Sequence, residues 1–335
     1  MISLPKFSDL DVKSKRVLVR ADLDVDITEN YRLEALLPTL KYLSSKSSKI
    51  ILIGHRGRPE GKVVEELKMN SVEEELRKIA GGIEFEVLEN LRFDPREEKN
   101  DLNYAKNLAS LGDVYVNEAF GNSHRNHASI VGLPKFLPHA AGFRFVEEVE
   151  NLSKVFDNPQ KPVIFVVGGS KKDKLDYIEN LKPIADKILV GGRLPDYLQD
   201  TRYPIPDTKI IVANLLPDKE DLTINSIEKF EEEISKACPS GVGKAGTIVL
   251  AGPMGKYEDK GHRQGTERIF KAVAESSAFK VVGGGDGLVV LQLFNLMDKF
   301  DWISVGGGAM LEFLAKRSLP GIKALESVKV NIEGG

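Results

Sequence analysis

Residues 162–192, PVIFVVGGSKKDKLDYIENLKPIADKILVGG, hold one complete unit of the fold. PVIFVVGG is an unbroken apolar, β-branched run that stops at two glycines, as a strand buried on both faces does. YIENLKPIA then places apolar residues at helical spacing, and KILVGG repeats the strand with its glycine ending. Buried strand, helix, buried strand is the repeating unit of a parallel sheet covered by helices on both faces.

The same unit recurs outward in both directions. Downstream, KIIVAN, TIVLAG, KVVGGG and WISVGGG read as strands, with SIEKFEEEISKA, TERIFKAVAES and a run starting at Leu288 as helices. Upstream, RVLVRAD at 16–22, KIILIG at 49–54, FEVLEN at 85–90 and DVYVNEA at 113–119 read as strands. YRLEALLPTLKYL, SVEEELRKIA and LNYAKNLASL are the helices between them. A length of 335 residues suits two domains better than one core. EEVENLSKVFDNPQKP at 147–162 reads as a linking helix and turn, and the boundary is placed there.

Composition excludes several classes. Hydrophobic residues make up 41% and charged residues 29%, and the formal net charge is −3. Neither nucleic acid nor an anionic membrane is expected as the main partner. A single cysteine, Cys238, rules out an intrachain disulfide and a multi-cysteine metal site. The N-terminus lacks the apolar segment of a signal peptide and no apolar run is long enough to span a bilayer, so a cytoplasmic protein is expected.

The two halves end their strands differently. In the first, the strand ends and following loops carry Arg20, Asp22, Asp24, Arg32, His55, Arg56, Arg58, Arg92, His124, Arg125 and His127. Ligands bind outside the carboxyl ends of strands in open parallel sheets. Converging guanidinium forks there suit a ligand with phosphate and carboxylate groups. Each arginine taken singly reads more easily as a solvated or ion-paired surface residue; the set reads as a pocket. The HRNH spacing of the histidines sits in a loop, and phosphate or carboxylate contact is favoured over zinc.

In the second half the strands end in Gly168–Gly169, Gly191–Gly192, Gly252, Gly283–Gly285 and Gly306–Gly308. GGGD at 283–286 opens a helix, where free N–H groups and the helix dipole attract an anion. Asp286 there either holds magnesium or caps the helix. Lys171, Lys172 and Lys174 crowd a helix start, where cations are unfavourable unless a phosphate is present or the run is simply solvated. The dinucleotide fingerprint is absent. The Gly-Lys pairs at 61–62, 243–244 and 255–256 are followed by Val, Ala and Tyr, so there is no P-loop.

Ten segments in order give the chain a further character. They are RVLVRADLDV, YRLEALLPTLKYL, GHRGRPEG, VLENLRFDPREEKND, YVNEAFGNSHRNHASIVGLP, AAGFRFVEEVENLSKV, VVGGSKKDKLDYIENL, AGPMGKYED, VVGGGDGL and ISVGGGAMLEFLAKRSLPGIKAL. In them the chain resembles the phosphoglycerate kinase family over nearly its full length. The resemblance implies an α/β fold of two Rossmann-like, three-layer αβα domains with mainly parallel sheets, separated by a cleft. It implies a domain at 1–150 for 3-phosphoglycerate, a nucleotide domain at 151–315, and a tail at 316–335 returning to the first domain. The implied reaction is reversible phosphoryl transfer between 1,3-bisphosphoglycerate with ADP and 3-phosphoglycerate with ATP, with magnesium, in glycolysis and gluconeogenesis. A monomer is expected.

Residue by residue, the implied substrate set is Asp22, Asp24, Arg32, His55, Arg58, Arg92 and Arg125. The implied catalytic residues are Arg32, Lys171 and Gly285. Nucleotide contacts fall to Gly168, Gly169, Lys171, Lys174, Glu258, Gly283, Gly284, Gly285, Asp286, Gly306, Gly307 and Gly308, and the metal to Asp286. The chain also departs from the family pattern. Asp24 stands where Asn is usual, and the loop before Arg32 is shortened. The lysines Lys171 and Lys174 are three apart where four is usual, which on an α-helix turns the second by about 100°. GGRLPDYLQD replaces a glycine-rich stretch, and the region from about 195 to 245 is short. Ala251 replaces Asn, and Gly287 replaces Ser or Thr. These departures raise an alternative, a catalytically impaired paralogue that binds an anionic metabolite. A nucleotide-binding oxidoreductase is a third and weaker reading.

Overall fold

The structure is a computed structural model that describes residues 2–25, 30–46, 48–198, 207–237 and 245–326. Cys238, the end of GGRLPDYLQD and the centre of the 195–245 region lie outside the described residues. The chain divides into two compact units. One takes Met1–Glu150 with the C-terminal segment from Ser318, and the other takes Asn151–Arg317.

The first unit holds five strands: β1 Arg16–Arg20, β2 Lys49–Ile53, β3 Glu86–Val87, β4 Val114–Asn117 and β5 His139–Ala141. Their order is β3-β2-β1-β4-β5, and every pairing is parallel. The second unit holds β6 Val163–Val167, β7 Lys187–Val190, β8 Ile210–Val212, β9 Thr247–Ala251, β10 Phe279–Gly283 and β11 Trp302–Ser304. Their order is β11-β10-β9-β6-β7-β8, again parallel throughout. Each of the ten runs read as strands is present. The eleventh, β5, is only three residues long and carries no periodic signal.

Both sheets grow outward from a central pair, β1 with β4 and β6 with β9, where the strand order reverses. A crevice opens outside the carboxyl ends of such a pair. The strands flanking the two crevices are covered along nearly their whole length: β1 is buried after Arg16, β4 reads as four buried residues, and β6 and β9 as five each. The helix Phe143–Ser153 carries the chain from one unit to the next and begins earlier than the 147 expected.

The helix Pro320–Glu326 lies on the first unit. Gly321 N–H donates to Ser123 O at 2.8 Å, and His139 Nε2 sits 3.2 Å from Leu325 O. Gly321 is obligatory here, because a Cβ would come within 2.6 Å of Ser123 Oγ. No helix among the described residues is long and apolar enough to cross a membrane.

Candidate functional site

In the first unit the expected residues converge at the strand ends. Asp22 and Asp24 follow β1, His55 and Arg58 follow β2, Arg92 lies in the 3₁₀ turn Leu91–Phe93, and Arg125 lies in the loop after β4. Arg32 sits in the first turn of the helix Tyr31–Ser45. The pocket is organised by its own side chains. Asn122 Nδ2 donates to Asp22 Oδ1 at 3.1 Å, and Arg32 Nη1 is 3.9 Å from the same oxygen. Arg32 Nη1 also donates to the Asp24 carbonyl at 2.7 Å. Arg92 Nη1 donates to Gly57 O at 2.7 Å, and its Nε lies 3.3 Å from Glu98 without hydrogen-bond geometry. Arg58 and Arg125 remain exposed.

The Asp24 carboxylate is met by backbone and by an imidazole. Its Oδ1 accepts from Gly57 N–H at 2.8 Å, and its Oδ2 lies 3.7 Å from His55 Nε2. Beneath the rim, Arg20 is fully buried, with no acid within ion-pair distance among the described residues. Burial, then the charges of Arg20 and Arg92, hold His55 well below the usual imidazole range. Burial, then Arg92 and Arg20, push His127 down to about 3. Both rings are therefore neutral at pH 7, and the positive charge of the pocket comes from guanidinium groups.

Two polar residues of this pocket escaped the sequence reading. Asn122 was hidden inside GNSH as one loop amide among several. Glu97 reads in PREEKN as part of a solvated charge run, yet it is 1% exposed. Nothing local distinguishes it from Glu98.

In the second unit the glycines fall into two kinds. Gly168 N–H donates to Ala251 O at 3.2 Å and Gly169 N–H to Pro253 O at 2.7 Å, so both are spent internally. What these two supply is close backbone approach. By contrast, the N–H groups of Gly285, Asp286, Gly307 and Gly308 have no acceptor among the described residues. They open the helices Gly285–Leu293 and Gly307–Lys316, where first-turn donors are necessarily left over. The two helix starts abut, since a Cβ on Gly307 would come within 2.8 Å of Gly284 Cα. Gly283 and Gly306 end the approach to these turns, with Gly306 N–H 3.4 Å from Ser304 Oγ. Asp286 lies inside the helix as its second residue, and Gly284 is the cap. The carboxylate is exposed and makes no hydrogen bond among the described residues, so capping does not account for it.

The lysine segment differs from its expected form. Lys172–Tyr177 is a 3₁₀ helix, not an α-helix. With three residues per turn, positions three apart eclipse each other. Lys174 N–H donates to Lys171 O at 3.3 Å, closing that turn. Lys171 is the extended residue just before this helix, so the α-helical rotation expected between Lys171 and Lys174 does not apply. Lys171 is exposed. Lys174 is half-buried, and its Nζ donates to Gly168 O at 2.6 Å and Ala251 O at 2.8 Å, the ends of the central strands. Burial pushes its pKa down to about 8 against the opposing pull of Asp286. Gly252, at φ +109, leaves room for this ammonium; a Cβ would stand 2.5 Å from Nζ.

GGRLPDYLQD folds over the lysine loop in its described part. Tyr197 Oη donates to Ser170 O at 3.2 Å, and Lys172 Nζ lies 5.8 Å from the centre of the Tyr197 ring. Glu258 is exposed on the connection that follows β9. Among the described residues no group of three or more His, Cys, Asp or Glu side chains is placed to hold a metal. Asp286 offers an uncommitted carboxylate beside free backbone donors, an arrangement suited to a magnesium ion shared with phosphate oxygens and water.

Comparison with known proteins agrees with this geometry. A family model described as phosphoglycerate kinase matches residues 7–200 and 207–317. The phosphoglycerate kinases of Moorella thermoacetica and Thermomicrobium roseum are each 36% identical, covering 95% of this chain and 98% of the relative. Those alignments run to 383 and 384 positions, longer than the chain itself, so the relatives carry residues that this chain lacks. Among solved structures, phosphoglycerate kinase from Coxiella burnetii matches with a TM-score of 0.76 at 30% identity, covering 97% of this chain and 99% of that one. The enzyme from Pyrococcus horikoshii matches with a TM-score of 0.80 at 26% identity, covering 96% and 98%.

Proposed function

This chain belongs to the phosphoglycerate kinase family and is a phosphotransferase with a carboxyl group as acceptor, and from that premise we propose which of its residues carry the transfer. The first unit takes 3-phosphoglycerate or 1,3-bisphosphoglycerate. Arg58, Arg92 and Arg125 bind its phosphate and carboxylate, and Asp22 and Asp24 orient the ligand and the surrounding donors. His55 contributes an uncharged N–H. The second unit takes ADP or ATP with its phosphates at the N–H groups of Gly285, Gly307 and Gly308. Gly168, Gly169, Gly283, Gly284 and Gly306 let the backbone approach them, and Glu258 lies on the ribose side. Lys174 stands behind the phosphates and Lys171 reaches the transferring group.

In the ATP-forming direction the bond between the acyl oxygen and phosphorus breaks, and a bond forms from phosphorus to a β-phosphate oxygen of ADP. The leaving group is a carboxylate, stable as an anion at neutral pH, so no general acid is needed. Negative charge spreads over the three equatorial oxygens of the group in flight. We assign the stabilisation of that charge to Arg32, Lys171 and the Gly285 N–H. Asp286 would hold magnesium, which supplies charge neutralisation on the nucleotide phosphates. We place the reaction in the cytoplasm, with one chain supplying both half-sites.

The observation that carries this reading is the pair of abutting helix starts with open N–H donors beside the uncommitted Asp286. A coupled assay with 3-phosphoglycerate and magnesium-ATP tests it. Turnover dependent on both is expected; absence of turnover with every nucleoside triphosphate tried would count against it.

A further inference from the structure

Beneath the substrate pocket, a line of buried polar groups runs from Glu97 to His55. Glu97 Oε2 accepts from Ser129 N–H at 3.0 Å, and its Oε1 accepts from Ser129 Oγ at 2.5 Å. Ser129 Oγ accepts in turn from Arg20 Nε at 2.9 Å. Arg20 Nη1 donates to the Ala21 carbonyl, and Arg20 Nη2 lies 3.0 Å from His55 Nδ1. Arg20 and Ser129 are completely covered, and Glu97 and His55 nearly so.

Chemistry fixes the direction of each contact. A guanidinium has donors and no acceptor. His55 Nδ1 must therefore present its lone pair to Arg20, and the ring proton must be on Nε2. The hydroxyl of Ser129 has one proton. Since it accepts from Arg20, that proton points to Glu97. Glu97 thus holds Ser129, Ser129 holds the Arg20 side chain, and the guanidinium so placed sets the imidazole. At the far end His55 Nε2 is 3.7 Å from Asp24 Oδ2, beyond hydrogen-bonding distance, so its N–H is unspent.

We propose that Glu97 is a positioning residue for the phosphoglycerate pocket. Through Ser129 and Arg20 it fixes His55 as the Nε2–H tautomer, which presents a neutral donor to an oxygen of the bound metabolite. The charged groups facing His55 are Arg20, Arg92 and Arg32, with Asp24 on the open side; His127 faces it as well. Three cations around one ring oppose a fourth positive charge, so the donor is uncharged. This inference rests on the assignment of the first unit to phosphoglycerate, and the experiment separates the two.

Long-range ¹H–¹⁵N correlation on the full chain labelled at its five histidines reads the tautomer directly. The His55 signal is identified by its loss in His55→Gln. The expected pattern is a proton on Nε2 alone, unchanged from pH 5.5 to 8. A Nδ1–H pattern, or an imidazolium at pH 7, overturns the proposal. Ser129→Ala should turn the single pattern into a mixture and raise KM for 3-phosphoglycerate about tenfold, with kcat within about twofold. An unchanged tautomer and KM in a folded Ser129→Ala protein also overturns it. Glu97→Gln should act in the same direction.

His55→Gln places an amide N–H where Nε2–H stood and should retain most of the affinity that His55→Phe loses. Equal losses in the two would show that a neutral N–H donor at this position does not account for binding, against the proposal. If the His55 signal shows the Nε2–H pattern but does not move on adding 3-phosphoglycerate, the tautomer inference stands and the pocket assignment fails.

Discussion

On the proposed assignment, the two units meet one problem, binding a polyanion at the end of a parallel sheet, by opposite means. The first uses side chains. Its arginines and acids are held by one another and by backbone, through Asp22 with Asn122, Asp24 with Gly57 and Arg32 with the Asp24 carbonyl. The second uses bare backbone. Its donors at Gly285, Asp286, Gly307 and Gly308 are the unfilled first turns of two helices, exposed because glycine lets them abut. A side-chain pocket needs a buried framework to hold its rotamers, and here that framework is Glu97, Ser129 and Arg20. A backbone pocket needs only the right dihedral angles. The first unit should therefore lose function through single polar substitutions well below its surface. The second should lose it where a Cβ is added.

The most severe test removes the side chain assigned to the moving charge. Arg32→Ala should lower kcat by about 10³-fold or more while the fold is retained, measured in the coupled assay. A loss confined to KM would reduce Arg32 to a ground-state binder. Next in size, Asp286→Asn should reduce kcat/KM by roughly 10²-fold and raise the magnesium concentration needed for half-maximal rate. Affinity for 3-phosphoglycerate, read by calorimetry, should not change, because that ligand is assigned to the other unit.

Gly284→Ala asks whether the second unit depends on backbone geometry. Gly284 adopts φ +95 and ψ 162, a region that only glycine occupies comfortably. A Cβ there would also meet Gly307 Cα at 3.1 Å. A loss of about 1–3 kcal/mol in stability is expected, with a raised KM for nucleotide. A variant with normal nucleotide KM would mean that the helix starts are not the phosphate site.

The smallest effect concerns a buried acid of the first unit. Glu118 is buried and accepts from Thr39 Oγ1, from Phe145 N–H at 2.9 Å and from Arg144 N–H at 3.3 Å, at the start of the helix leading out of that unit. Burial pushes its pKa up from 4.5 to about 7, against the pull of those hydrogen bonds. The folded state then binds the proton more tightly than the unfolded chain. Stability from this group is fully present below the unfolded value and is lost as pH rises toward 7. Glu118→Gln should flatten that slope in denaturant titrations between pH 5 and 7.5, by a few kcal/mol at most. The slope at pH 5 to 7.5 should persist if Glu118 is ionised throughout.

Much of the glycine-lined site was legible in the sequence, because a glycine run after an apolar strand is a local signal with a local cause. The positions of Gly283–Gly285 and Gly306–Gly308 follow from strand periodicity and nothing else. The lysines were legible as residues but not as geometry. Counting three positions on an α-helix puts Lys171 and Lys174 on one element, whereas the structure has Lys171 extended and Lys174 inside a 3₁₀ helix. Helix type at a short, cation-rich start depends on what the backbone packs against, and in this case Lys174 is tied to the carbonyls of two strands. Asp24 reads as a repulsive substitution until Gly57, 33 residues on, is seen to satisfy it.

What the sequence by itself determined is the alternation of strand and helix, the identity of the strand ends and the contrast between a charged and a glycine-lined half. These depend on neighbours within a few residues, and periodicity records them. What only the tertiary structure decided is which polar groups are buried and whom they face. Glu97 and Ser129 are 32 residues apart, and Arg20 and Ser129 are 109 apart. Burial and long-range pairing are properties of the packed chain. Adjacent glutamates such as Glu97 and Glu98 look alike in sequence, and only folding makes one a covered acceptor and leaves the other at the surface.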